Sequence, residues 1–138
     1  MSDTGHRLFA KSRNIFNLST IQSVDLTYNN VLVGEGRIAT LDYSSAADKI
    51  YTIFRPVDPG PQPQGEVRRY NTEFYAFEGT TPLPDFLIPD GAGGGTINEA
   101  RGYFGFFNAA GNRYYVIVKT TEFPGNVHQW AVATITVE

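Results

Sequence analysis

Apolar and polar positions alternate along most of this chain with a period near two, the pitch of extended strands. The longest uninterrupted run is residues 66–78, E-V-R-R-Y-N-T-E-F-Y-A-F-E, thirteen residues without Gly or Pro. Read as one strand, it places Val67, Arg69, Asn71, Glu73, Tyr75 and Phe77 on one face. Glu66, Arg68, Tyr70, Thr72, Phe74, Ala76 and Glu78 fall on the other. Neither face is wholly apolar. The row Arg69–Asn71–Glu73–Tyr75 is polar with apolar ends, a pattern that suits the wall of an apolar cavity holding a few aimed hydrogen-bonding groups. The same pattern also describes an exposed strand face with an Arg–Glu pair.

The remaining pattern predicts short strands joined by turns. Residues 20–28 read as a first strand with Val24, Leu26 and Tyr28 on one face, followed by an Asn29-Asn30 turn. Residues 31–43 follow as a strand in which Gly34 and Gly36 share a face and permit a sharp bend. That G-x-G is not a phosphate loop, because no helix follows it. After a turn at 44–48, residues 49–55 return with Ile50, Tyr51, Ile53 and Phe54. Residues 57–65 hold three prolines and two glycines and predict a stiff loop.

Residues 79–95 read as a long irregular segment whose apolar patch, Phe86-Leu87-Ile88, suits a lid, with a hinge at the Gly91-Ala92-Gly93-Gly94-Gly95 run. A packed Ω-like loop with no gating role is the alternative. Residues 96–107 predict a strand with Arg101, Tyr103, Gly105 and Phe107 on one face and Ala100, Gly102, Phe104 and Phe106 on the other. A turn centred on Gly111-Asn112 and strands over 113–121 and 128–137 complete the chain. The expectation is an all-β fold of about eight strands without helices, a single antiparallel, calycin-like β-barrel, with a β-sandwich as the alternative. Residues 1–19 read as an N-terminal arm and 20–138 as the barrel domain.

Composition sharpens this picture. Ten Phe, eight Tyr, one Trp and fourteen Gly in 138 residues favour all-β. The absence of Cys rules out disulfides, thiolate metal sites and cysteine nucleophiles. A net charge of −3 argues against sequence-independent phosphate binding, so no nucleic-acid partner is expected. No apolar run approaches a membrane span, and the N-terminus lacks a signal-like apolar region, so a cytoplasmic location without membrane association is expected.

The catalytic repertoire is short. The chain has no G-x-S-x-G, no H-E-x-x-H and no Asp/His cluster with ligand spacing, so neither metal nor cofactor is expected. His6 reads as a solvated tail residue. His128, near Trp130, reads as a general base or as a histidine satisfied at a strand mouth. Asp85, Asp90 and Glu99 read as solvated. What the residues do supply is the equipment for catalysis by confinement, in which holding a flexible substrate folded removes several kcal/mol of entropic barrier. Tyr75 and Arg69 are the candidate catalytic donors that polarise a carbonyl. Glu73, Asn71, Tyr103, Arg101, Phe107, Trp130 and Tyr115 are the candidate substrate-binding residues, and Phe86, Leu87 and Ile88 the lid. Arg69 and Glu73 could instead form a buried structural pair.

Several short segments carry a family likeness. Val33-Gly34-Glu35-Gly36, Leu41-Asp42-Tyr43 and Lys49-Ile50-Tyr51 form one glycine-marked set. Phe54-Arg55-Pro56-Val57-Asp58 and Tyr70-Asn71-Thr72-Glu73-Phe74 form another. Gly94-Gly95-Thr96 and Ala100-Arg101-Gly102-Tyr103-Phe104 resemble the G-G-T-G and A-R-G segments of allene oxide cyclases and dirigent proteins, with Ile97 in place of a glycine and a shorter spacing. Over residues 24–121 the chain thus resembles the allene-oxide-cyclase-like barrels, and within them the small bacterial spirotetronate cyclases. The resemblance implies a cofactor-independent cyclase or isomerase acting on a hydrophobic polyketide- or fatty-acid-derived molecule, including intramolecular Diels–Alder cycloaddition, and pairing into a homodimer. Two other readings stay open: a carrier barrel for an apolar ligand, and a sugar-binding or self-assembling β-sandwich. The last requires Trp130 and exposed tyrosines on an outer face and no internal cavity.

Overall fold

The computed structural model describes residues 6–55, 65–89, 91–120 and 130–137. The fold is all-β, and every ladder in it is antiparallel. Strands β1 (His6–Phe9), β2 (Asn14–Leu18) and β3 (Tyr28–Val31) form one sheet. Strands β4 (Arg37–Ser44), β5 (Lys49–Arg55), β6 (Glu66–Asn71) and β7 (Phe77–Pro82) form a second. Strands β8 (Phe86–Pro89) and β9 (Gly95–Asn98) make a two-stranded ribbon, and β10 (Ala100–Phe107), β11 (Arg113–Thr120) and β12 (Trp130–Thr136) make the last sheet. No helix among the described residues is long and apolar enough to cross a membrane.

Strand β5 lies between two cores. Its K-I-Y-T-I-F-R sequence is apolar on both sides, and residues 50–54 are all buried. Ile50 and Phe54 join Ile15, Leu32, Ile38 and Tyr70 in one core. Tyr51 and Ile53 join Val67, Leu83, Tyr114, Val116, Val118 and Ile135 in another. The β4–β7 sheet is therefore covered on both faces, by side chains of β2 and the β3–β4 connection on one and by side chains of β10–β12 on the other. Each fully buried large side chain contributes about 1.5–3 kcal/mol of burial energy, which is why a strand buried on both faces organises the fold.

Strands β4 and β10 run side by side without a shared backbone ladder. Side chains join them instead. Thr40 Oγ1 lies 3.5 Å from the Gly105 N–H that donates to it and 3.4 Å from the Gly105 carbonyl. Asp42 Oδ2 accepts from the Phe107 N–H at 2.7 Å, and Ser44 Oγ donates to the Gly111 carbonyl at 3.5 Å.

The structure corrects several of the predicted elements. The run 66–78 is not one strand: it ends as β6 at Asn71 and resumes as β7 at Phe77. The Asn71 side chain causes the break, accepting from the N–H of Phe74 at 2.8 Å and of Ala76 at 3.4 Å. This is the local side-chain-to-backbone bonding by which Asn competes with a ladder. Tyr75 in this turn has φ of 55°. Residues 20–27 are an exposed turn rather than a strand, held where the Val24 and Asp25 N–H groups donate to the Ile21 carbonyl and Asp25 Oδ1 accepts from the Ser19 N–H. Asn29 and Asn30 lie within β3, and 31–43 is interrupted around Gly36, whose φ is 84°. Residues 79–95 are not one irregular loop but contain most of β7, all of β8 and the start of β9. The segment read as an arm carries the β1–β2 hairpin, and Ile15 within it is fully buried. The expected loop at 57–65 falls outside the described residues except for Gly65, and the last strand is described from Trp130.

Candidate functional site

The most distinctive surface is the outer face of β10–β12, and its origin lies in three small residues. Ala100, Gly102 and Gly105 point from β10 into the interior. A Cβ on Gly102 would stand 2.8 Å from Ile53 Cδ1 and 3.1 Å from Leu83 Cδ1. One on Gly105 would stand 2.2 Å from the Tyr114 hydroxyl. The interior space beside β10 is thus occupied by side chains from other strands. A register shift between Gly102 and Phe104 makes Tyr103 an extra residue in a β-bulge. The bulge leaves Gly102, Gly105 and Phe107 inside and sends Phe104 and Phe106 outward. This corrects the simple alternation, which grouped Phe104 and Phe106 with Gly102, and Phe107 with Arg101.

Register and exposure define three outward rows across the sheet. Arg101 pairs with Lys119 and Lys119 with Trp130; Phe104 pairs with Ile117 and Ile117 with Val132; Phe106 pairs with Tyr115 and Tyr115 with Thr134. Phe104 and Trp130 are each 54% exposed and Val132 63%. The rings of Phe104 and Phe106 lie 6.0 Å apart at 39°, and those of Phe106 and Tyr115 5.6 Å apart at 33°, so the three tile at shallow angles. At the other end Tyr103 meets Trp130 edge-on at 5.1 Å. The Arg55 guanidinium lies 5.2 Å from the Tyr103 ring centre, and Lys119 Nζ 5.3 Å from that of Trp130. Such cation–π contacts hold the rings while leaving them accessible.

Of the candidate residues read from sequence, Arg101, Tyr103, Tyr115 and Trp130 belong to this surface. The others do not. Phe107 is in the interior, its ring 4.9 Å from Tyr51 and 4.8 Å from Tyr114. Arg69 shares a face of β6 with Val67, opposite Tyr51 in register, and so points toward the β10–β12 side. Tyr75 packs on the other core, its ring 6.0 Å from Phe9 in an edge contact and its hydroxyl accepting from Arg7 Nε at 3.1 Å. The two candidate donors therefore sit on opposite faces of the β4–β7 sheet. Glu73 is exposed in the turn, and Asn71 serves that turn, so the polar row does not form. Phe86, Leu87 and Ile88, read as a lid, form β8 and pair with Asn98, Ile97 and Thr96. Phe86 packs on the interior core, Leu87 is exposed and Ile88 half-buried. His128 and Asp90 lie outside the described residues.

An open depression of about 480 Å³ lies elsewhere, where β6, β7 and β10 approach, lined by Glu66, Arg68, Leu83, Asp85, Glu99 and Ala100 among others. Arg68 and Glu66 close an ion pair at 2.9 Å across part of it. Of its lining residues, Leu83 and Ala100 belong also to the interior core. Among the described residues no group of three or more His, Cys, Asp or Glu is arranged to hold a metal ion.

Two buried tyrosines have perturbed acidity. Burial raises the Tyr114 pKa far above that of free tyrosine, with Asp42 and Tyr51 adding to the shift. Burial also raises that of Tyr70, opposed by the neighbouring Arg68, while its hydroxyl donates to the Val33 carbonyl. Both hydroxyls are inside packed cores. A neutral phenol there is a packing group, not a base.

Sequence reasoning did not single out Phe104, Phe106, Lys119 or Arg55. The signal for the first two was present as small residues at 100, 102 and 105 beside large aromatics, a pattern that only a bulge reconciles with a single inward face. Comparison of the chain with models of protein families, with curated proteins and with solved structures finds no match.

Proposed function

We propose that this protein is a binding module without chemistry of its own, built as stacked sheets rather than as a container, and that the outer face of β10–β12 takes ligands bearing sugar rings. The observation that carries the reading is the contiguous outward surface of Phe104, Phe106, Tyr115, Trp130 and Val132. Contiguous apolar surface of this kind on a small domain marks an interaction site. Flat aromatic rings receive the C–H faces of sugar rings, as their electron-rich faces attract the weakly positive C–H groups. Thr134 and Thr136, exposed on the same face of β12, add hydroxyls able to bond those of a sugar.

The cyclase expectation asks for an apolar cavity into which Tyr75 and Arg69 both point. Their separation across the β4–β7 sheet and the close filling of the interior by Tyr51, Ile53, Leu83 and Tyr114 favour the surface reading. A closed barrel would demand a backbone seam between β4 and β10. Between β4 and β10 there is no such ladder, and the side chains of Thr40, Asp42 and Ser44 bridge the gap.

Trp130 is the sole tryptophan, so its fluorescence reports on the site directly. Titration with soluble oligosaccharides is expected to give a saturable change that Phe104→Ala weakens at least severalfold, with the variant's circular dichroism unchanged. Saturable binding of polyenes or an apolar dye, with no response to any glycan, would overturn the proposal in favour of an internal pocket.

A further inference from the structure

Among the described residues the aromatic face carries charge of one sign. Arg101 and Lys119 sit in the first cross-strand row, Arg113 faces outward opposite Thr136, and Arg55 flanks Tyr103. The outward rows contain no Asp or Glu. Among the described residues the two ion pairs lie on the β4–β7 sheet, Lys49 with Glu78 and Arg68 with Glu66, and neither involves these four cations. The concentration of cations is local, because the whole chain has a net charge of −3.

Resting on the sugar-binding reading, we infer that the ligand of this face is an acidic polysaccharide, a chain of rings carrying carboxylates such as a polyuronate. Stacking on the rings and pairing with carboxylates along their edges use the two features that the face combines. A second copy of this chain fits less well. Packing the face against itself sets cations against a surface that supplies no carboxylate, and like charges across an interface are unfavourable. A single-stranded nucleic acid shares the need for rings and cations. The exposed hydroxyls of Thr134 and Thr136 on the same face suit the hydroxyls of a sugar better than the bases of a nucleic acid.

The test compares polygalacturonate with the same polymer after methyl esterification, which keeps the rings and removes the charge. Affinities are read from Trp130 fluorescence at low and high salt, with oligo(dT) as a third probe. The expected result is about fivefold to tenfold tighter binding of the free acid at low salt, a preference that shrinks as salt screens exposed pairs. Arg101→Gln combined with Arg113→Gln should bring the affinity for the free acid close to that for the ester. Equal affinity of the wild type for both polymers overturns the acidic-ligand inference while leaving the sugar platform standing. Binding of neither polymer overturns both. Tighter binding of oligo(dT) than of polygalacturonate overturns the inference in favour of a nucleic-acid strand.

Discussion

Tyr114→Phe is expected to stabilise this protein, although it deletes a polar group from a packed core. The Tyr114 side chain is fully buried, its ring packed 4.9 Å from Tyr51 and 4.8 Å from Phe107. Its hydroxyl has no hydrogen-bond partner among the described residues. A buried hydroxyl that finds no partner costs about 1–3 kcal/mol in lost hydration. Phenylalanine keeps the ring, its packing and its rotamer, and leaves a void of only one oxygen. The net gain expected at neutral pH is about 1 kcal/mol, or a rise in Tm of about 3–5 °C for a domain of this size.

The same substitution has a second signature at alkaline pH. Tyr114 is raised far above its ordinary 10.0 in the folded protein. Above pH 10 the unfolded chain releases this proton and the folded chain keeps it, so the folded state binds more protons and stability falls as pH rises. Each such group costs about 1.4 kcal/mol per pH unit in that window. Tyr70, also raised, contributes in the same direction. Replacing Tyr114 removes one of the two contributions and should make the alkaline loss visibly shallower. Urea denaturation of both proteins at intervals from pH 7 to 11 measures both effects. A variant less stable by more than 1 kcal/mol at pH 7, with an unchanged alkaline slope, would refute the reasoning.

Two further perturbations test the packing beside β10. Gly105→Ala places a Cβ 2.2 Å from the Tyr114 hydroxyl and 2.5 Å from Cζ of a ring that Tyr51 and Phe107 hold in place, so a loss of about 2–3 kcal/mol is expected in denaturant melts, and a loss under 0.5 kcal/mol would mean that the ring yields freely. Asp42→Ala strips the Phe107 N–H of its acceptor at 2.7 Å, with an expected cost of about 2 kcal/mol and faster amide exchange at Phe107; unchanged protection of that amide would show that Asp42 does not carry the β4–β10 contact.

What was legible in the sequence tracks how much each segment depends on its own residues. Strand β5 was read with its observed bounds, because five consecutive residues suited to burial leave no other pattern. At Asn71 the pattern misleads for the opposite reason. Period and propensity ran through it without a break, while one side-chain oxygen binding two backbone N–H groups settled the matter locally. The Tyr103 bulge lies further from view. A single extra residue inverts every side chain beyond it, and the need for it arises from Tyr114, Ile53 and Leu83, which come from other strands. Arg101, Tyr103, Tyr115 and Trp130 were recognised as candidate binding residues, but their shared face depends on a register that only pairing with β11 and β12 supplies.

The aromatic excess that first suggested a lined cavity is divided between two destinations. Tyr51, Tyr70 and Tyr114 are fully buried and fill the two cores, whereas Phe104, Phe106 and Trp130 face solvent. The division turns on β10. Glycine at 102 and 105 admits Ile53, Leu83 and Tyr114 to the space beside the strand, and with that space taken no large side chain of β10 fits inward until Phe107. Filling the interior and displaying Phe104 and Phe106 are thus two consequences of one local sequence, A-R-G-Y-F-G-F-F. Enlarging either glycine to open an alternative inward packing for β10 would have to expel a buried side chain of another strand. That coupling makes the outer rows a fixed property of the folded sheet, and a surface held rigid by its own core suits the ring stacking proposed for it.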